Sequence, residues 1–319
     1  MIDLHCDTLF NCILHEDYSL RRNKGHIDLE RMKTGGWDTQ CFAIFVPTHD
    51  TAEKDGITMD PYSWYRAGVE AFRREMAANA DMIAPALTAA DILRNRAAGK
   101  LTGILTVEDS VPLFGDIRRV EEFYADGVRM MSLTWNYENS VAYPNTRDGE
   151  KMALGLKEFG LECVAKMDEL GMVVDVSHLS EGGFWDVVKH GKKPFAASHS
   201  CARALCDHPR NLTDEQLRAL ADKGGVVGVN FYSAFLSADS THTTVDDILR
   251  HMVHIGKVAG VDALALGSDF DGIECTLEMK DCAGAPLLKE ALNRHFTADE
   301  VDKICGGNAM RMFRDVIGE

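Results

Sequence analysis

The chain has 319 residues, 45% hydrophobic and 26% charged, long enough to bury one large core. Its 34 basic against 50 acidic residues leave a formal charge of −16, which argues against nucleic acid or an anionic membrane as a partner. The nine cysteines are scattered without a CxxC pair, so reduced thiols are expected rather than disulfides or a cysteine zinc site. The longest apolar runs are strand-sized and no charged and apolar leader precedes residue 3, so a cytoplasmic location is expected.

Taken in chain order, short β-branched or apolar runs bounded by turn signals predict eight strands. The first, MIDLHCD, alternates so that Asp3, His5 and Asp7 share one face and Leu4 and Cys6 the other. TQCFAIFVP follows, then LTGILTVED carrying Glu108, and GVRMMSLTW ending at Trp135 with Asn136 next. MVVDVSH ends at His178, PFAASHS carries His199, GGVVGVNFY carries Asn230 and Tyr232, and ALALGSDFDG carries Asp269. Between strands lie helical stripes, such as Leu156, Phe159, Cys163, Val164 and Met167. A second stripe is Val245, Ile248, Leu249, Met252 and Ile255, with Thr244 as its N-cap. With few prolines, no linker and no internal repeat, the pattern predicts one domain over residues 1–319. Its fold class is α/β, a (β/α)8 TIM-type barrel, with an open doubly wound sheet as the alternative.

The barrel explains why polar residues sit at the C-terminal ends of apolar strands, since those ends converge on one mouth. His5, Asp7, Glu108, His178 and His199 mix imidazoles and carboxylates, a ligand set suited to zinc and similar divalent metals. Five ligands exceed the needs of one catalytic zinc. If Glu108 bridges, two ions each receive three protein ligands and keep an open position for a shared water. Spacing alone does not show that bridge.

In order, DLHCD, TVED, VVDVSH, AASHS, HPRN, GVNFY, LGSDFDG and GGNAMRMF resemble the membrane (renal) dipeptidase family of zinc metallopeptidases, within the amidohydrolase-like barrels. The resemblance covers nearly the whole chain. It implies that His5, Asp7 and Glu108 hold one zinc, and that Glu108, His178 and His199 hold the other. It makes Asp269 the catalytic proton shuttle and gives Arg210 the substrate's free carboxylate, which a planar guanidinium suits. Tyr232 would line the substrate pocket. The implied reaction is hydrolysis of dipeptides by a bridging hydroxide, with tolerance of a D-residue at the C-terminal position, and the family commonly forms homodimers. One departure stands out: Trp135 follows LT where better-known members carry a histidine thought to stabilise the tetrahedral intermediate. Indole offers a single N–H donor and no positive charge, which leaves Asn136 or Asn139 as candidate replacement donors near the substrate, with a turn role as the equal alternative for either. That departure keeps open a related amidase or lactamase acting on N-acyl amino acids. A non-catalytic metal- or solute-binding barrel is the contrasting reading, disfavoured because a binder has no use for Asp269. Cys6 is expected to pack away from the metals, and Gly306, Gly307 and Asn308 to form a structural turn with Asn308 bonding a loop near the mouth.

Overall fold

The computed structural model describes residues 1–238 and 240–319. Eight strands form the barrel: β1 (Ile2–Cys6), β2 (Thr39–Phe45), β3 (Leu101–Glu108), β4 (Val128–Ser132), β5 (Val173–Asp175), β6 (Ala196–Ser200), β7 (Val226–Val229) and β8 (Leu264–Leu266). Each pairs in parallel with its neighbour in sequence, and β8 pairs with β1, so the ring closes. That closure excludes the open sheet. The strands are the eight expected runs, because parallel strands covered on both faces read as short apolar segments. Three short strands lie outside the eight expected runs: Ile83–Pro85 adds to the first residues of β3, outside the ring, and His242–Thr243 pairs in parallel with Thr276–Leu277.

Side chains divide into two shells. Leu4, Cys41, Ile104, Met130, Val173, Ala196, Val226 and Ala265, one from each strand, form an interior layer that packs on Met312, Phe313 and Val316 of the helix Asn308–Ile317. This helix closes the lower end of the barrel. The alternate residues, including Leu105, Val107, Met131, Val174, Val227 and Val229, face the surrounding helices. The stripe Cys163, Val164 and Met167 lies on the helix Glu158–Leu170. That of Ile248, Leu249, Met252 and Ile255 lies on Val245–Ala259, whose start is closed by a Thr244–Asp247 capping box.

Three strands break the regular alternation, one of them β4, which advances two residues from Val128 to Met130 while β3 advances one from Leu105 to Thr106. From Asp3 to Cys6, β1 advances three residues while β2 advances two, from Gln40 to Phe42. From Ala197 to Ser200, β6 likewise advances three while β7 advances two. Each is a β-bulge, which re-aims the side chains beside it. The expectation that Asp3 shares a face with His5 is therefore corrected. Leu4 joins the interior layer, and Asp3 turns instead to Gln40 and Ser268, accepting from Gln40 Nε2 at 3.1 Å, Ser268 N at 2.8 Å and Ser268 Oγ at 2.6 Å. Cys6 packs in the outer shell, as expected. Asn308 also differs from expectation in place: its Nδ2 donates to Val261 O at 2.7 Å and Leu264 O at 2.8 Å, at the lower end of β8.

All nine cysteines are unpaired and eight are buried. Among the described residues, no helix is long and apolar enough to cross a membrane.

Candidate active site

The upper ends of the strands bring His5, Asp7, Glu108, His178, His199 and Asp269 to one point. The bulges supply His5 and His199, and Glu108 ends β3. His178 and Asp269 stand just beyond β5 and β8 with φ of 67° and 61°, the left-handed region that costs a non-glycine residue about 1–3 kcal/mol. Local bonds hold both. The His178 carbonyl accepts from Thr134 Oγ1 at 3.2 Å, Asn145 N at 2.7 Å and Asn145 Nδ2 at 2.8 Å. The Asp269 N–H donates to His5 O at 3.2 Å, and Asn230 Nδ2 donates to Asp269 Oδ2 at 2.8 Å.

Glu108 lies at the centre, and its two oxygens face different partners. Oε2 is 3.6 Å from His5 Nε2, which lies 3.3 Å from Asp7 Oδ2. Oε1 is 3.0 Å from His178 Nε2 and 3.4 Å from His199 Nε2. The ligand atoms of His5, Glu108 and His199 all fall within 4.8 Å of one another, as do those of His5, Asp7 and Asp269. Asp269 thus stands with the first pair of ligands as well as beside the cluster.

Hydrogen bonding tests whether this donor set fits a cation. His199 Nδ1 meets Ser198 Oγ at 2.7 Å, and that hydroxyl donates to Asp175 Oδ2 at 2.5 Å, so the proton sits on Nδ1. His178 Nδ1 meets the Asn136 amide oxygen at 3.0 Å, which fixes the same tautomer. Both Nε2 lone pairs then face each other across 3.1 Å, and both face Glu108 Oε1. Lone pairs converging on a carboxylate repel unless a cation or a shared proton lies among them, and one proton on Glu108 Oε1 satisfies only one of the two imidazoles. Asp7 Oδ1, buried with no hydrogen-bond partner, adds another uncompensated acceptor. The residues therefore fit divalent metal.

The titration behaviour has the same origin. Burial, with Asp7 and Asp269 nearby, pushes the Glu108 carboxyl well above its ordinary range. Burial raises Asp269 to about 6, against the opposing pull of His5 and Asn230. Burial also lowers His178 and His199, whereas at His5 it is outweighed by Asp7, Glu108 and Asp269, which lift the imidazole to about 10. A bound cation would favour ionised carboxylates and neutral imidazoles, reversing the shifts of Glu108 and His5.

Above the cluster opens a cleft of about 450 Å3. Arg210 is buried in its wall, its Nη2 donating to His199 O at 3.2 Å, while its Nε has no partner. Tyr232 lines the same wall, partly exposed, with its N–H donating to Asn230 Oδ1 at 2.6 Å. Asn136 also reaches the cleft, but its oxygen is engaged by His178. Asn139 does not serve there: its amide bonds Asp109, Ser110 and Leu133 and accepts from the N–H groups of Val141 and Ala142, so it is a buried loop organiser. Trp135 lines the cleft edge-on to Phe45, with ring centroids 4.9 Å apart. Asp271 ties the loop together, accepting from Thr8 Oγ1 and His26 N, each at 2.5 Å. Gly272 is required by close approach: a Cβ there would lie 2.1 Å from Asp7 Oδ2 and 2.7 Å from Asp269 Oδ1.

Residues singled out less clearly by sequence are the supports. Asp175, Ser177 and Ser198 knit β5 to β6 behind His199, and Asn230 connects Asp269 to Tyr232. Their signal was the repeated serine before His178 and His199, together with the aspartate within DVSH.

The family model for membrane dipeptidase (peptidase family M19) matches residues 1–317. A Klebsiella pneumoniae relative, the uncharacterized protein in the pqqA 5' region, is 40% identical over 240 residues, 72% of this chain and 88% of its own. An uncharacterized dipeptidase of Schizosaccharomyces pombe is 32% identical over 311 residues, 91% of this chain and 72% of its own. Among solved structures, a metallo peptidase from Rhodobacter sphaeroides, liganded with a phosphinate mimic of the dipeptide L-Ala-D-Ala, superposes with a TM-score of 0.91. It is 27% identical, and the match covers 99% of this chain and 98% of that one.

Proposed function

This chain belongs to the membrane dipeptidase family of metallopeptidases, and from that premise we propose that it hydrolyses dipeptides bearing a free C-terminal carboxylate, with two zinc ions bound. The observation that carries the reading is Glu108, whose two oxygens face two separate sets of ligands beneath a wall that holds an arginine without a carboxylate partner. His5, Asp7 and Glu108 would hold one ion, and Glu108, His178 and His199 the other. Bound ions supply Lewis acidity and lower the pKa of water.

The remaining work belongs to the chain. Arg210 donates to the substrate carboxylate in a forked contact, which fixes the scissile bond over the cluster and disfavours substrates lacking that charge. Asp269, held by Asn230, takes a proton from the attacking water and gives it to the departing amine. Water adds across the C–N bond, so the products are two amino acids and the carboxylate returns to its starting state. Holding the C-terminal residue through its carboxylate leaves its α-carbon configuration lightly constrained, which supports acceptance of a D-residue there. The phosphinate mimic of L-Ala-D-Ala in the Rhodobacter sphaeroides metallo peptidase is in keeping with this.

The test combines elemental analysis with turnover of dipeptides and their C-terminal amides. Purified protein reconstituted with zinc should carry two ions and cleave free dipeptides. Arg210→Met should reduce that activity by an amount equivalent to roughly 2–5 kcal/mol while changing amide cleavage little. Absence of dipeptide cleavage by the reconstituted protein would overturn the proposal.

A further inference from the structure

The mouth of the barrel has two walls of different chemistry, set on opposite sides of the ring. In an eight-strand ring β2 lies across from β6, and β3 across from β7. Arg210 follows β6, and Tyr232 and Phe235 follow β7. Across the ring from Arg210 stands Phe45, at the end of β2, flanked through ring contacts by Phe10, in the helix after β1, and by Trp135, beyond β4. All six line the one cleft above Glu108.

The second wall is aromatic and rigid. Phe45 and Trp135 meet edge-on at 4.9 Å, and Phe10 lies 6.0 Å from Phe45 and 5.5 Å from Trp64. Trp64 is buried behind them and donates its indole N–H to Phe45 O at 2.8 Å, anchoring the backbone of the wall. Yet Phe10, Phe45 and Trp135 each remain partly exposed, and their rings turn that surface into the cleft. Apolar surface gathered in a concave site, rather than scattered, marks a place where a ligand is received.

We infer that Phe10, Phe45 and Trp135 form a subsite for the side chain of the substrate's N-terminal residue, selecting large apolar or aromatic side chains. This rests on the dipeptidase reading above. With the C-terminal carboxylate at Arg210 and the scissile bond over Glu108, a dipeptide, whose extended length is at most about 7 Å, directs its N-terminal residue to the opposite wall. A preformed wall loses little side-chain entropy on binding, so its contacts translate into discrimination between substrates. Cations also favour aromatic faces, but the rim charges give a basic side chain no net advantage: Lys54 and Asp55 line the cleft together, and Lys54 Nζ lies 3.6 Å from Glu274.

The experiment measures kcat/KM of the zinc-reconstituted enzyme on Phe-Ala, Leu-Ala, Gly-Ala, Lys-Ala and Asp-Ala. Phe-Ala and Leu-Ala should exceed Gly-Ala by about 10-fold or more, the scale of a filled apolar pocket. Trp135→Ala, and independently Phe10→Ala, should remove most of that advantage while leaving Gly-Ala cleavage within about 3-fold, so Gly-Ala turnover also reports that each variant is folded. A flat profile, a preference for Lys-Ala or Asp-Ala, or variants that lower all substrates equally would overturn the subsite and leave the dipeptidase reading standing. No cleavage of any dipeptide would overturn both.

Discussion

At the lower end of the barrel Ile104, Met130 and Val173 meet Met312 and Phe313 of the terminal helix, and Asn308 satisfies two backbone carbonyls there. At the upper end, a few residues further along the same strands, Glu108 stands among three imidazoles, and buried Asp7 Oδ1 and Arg210 Nε lack partners. His178 and Asp269 hold left-handed backbone there as well. Apolar burial at one end supplies free energy that charge burial and backbone strain consume at the other. The contrast teaches that stability and activity are separable by position along a strand. Substitutions at the mouth should change chemistry more than stability, and substitutions at the base the reverse.

The sharpest attack on that comparison is at Glu108, the residue shared by both proposed ion sites. Glu108→Gln should release metal from both and abolish dipeptide turnover, since an amide brings no charge to neutralise the ions. Metal content and turnover measured on one preparation decide it. A variant that keeps two ions would remove Glu108 from its bridging role. Next in size is Asp269→Asn, which should lower kcat by about 100- to 10,000-fold while keeping metal. In the metal-free protein its melting temperature should stay level or rise, because the amide removes a charge that burial and Asp7 disfavour. Normal turnover would remove Asp269 from proton transfer.

At the opposite end, Phe313→Ala should cost about 3–5 kcal/mol of stability through the cavity it leaves against the interior layer. Turnover per folded molecule should be unchanged. Denaturant unfolding with a folded-fraction correction to kcat tests this, and a comparable loss of kcat would show that the two ends are mechanically coupled.

Much of this architecture can be read from sequence, and the exceptions have physical causes. All eight strands announce themselves, because parallel strands buried on both faces must be short apolar runs. His5, Asp7, Glu108, His178 and His199 stand out because each is a polar residue at the end of such a run. The bulges were not readable. Strict alternation in MIDLHCD put Asp3 beside His5, whereas the extra residue relative to β2 sends Asp3 to Gln40 and Ser268. A bulge is set by register with a neighbouring strand far away in sequence, so local periodicity carries no trace of it. The same holds for Asn139, whose five bonds depend on how the loop after β4 folds back on Asp109 and Ser110.

The smallest effect, and the finest probe of how the mouth is organised, lies behind His199. Ser198 Oγ accepts from His199 Nδ1 and donates to Asp175 Oδ2, so one hydroxyl fixes both the ring and its tautomer. The bulge in β6 makes this possible by bringing adjacent residues, Ser198 and His199, toward the same region. Ser198→Ala leaves the Nδ1–H without its acceptor and lets the ring turn or change tautomer. Metal affinity should therefore weaken by about 10- to 100-fold, the usual size of an effect transmitted through a ligand's hydrogen-bond partner. The loss should fall on the ion proposed at Glu108, His178 and His199 and spare the one proposed at His5, Asp7 and Glu108. Competition with a chromophoric chelator would show this as one weakened step of two. Ser198→Thr, which keeps the hydroxyl, should restore much of the affinity, whereas a general packing defect would worsen with the added methyl group. Equal weakening of both steps in Ser198→Ala would show that the serine supports the barrel mouth as a whole and does not orient His199 alone.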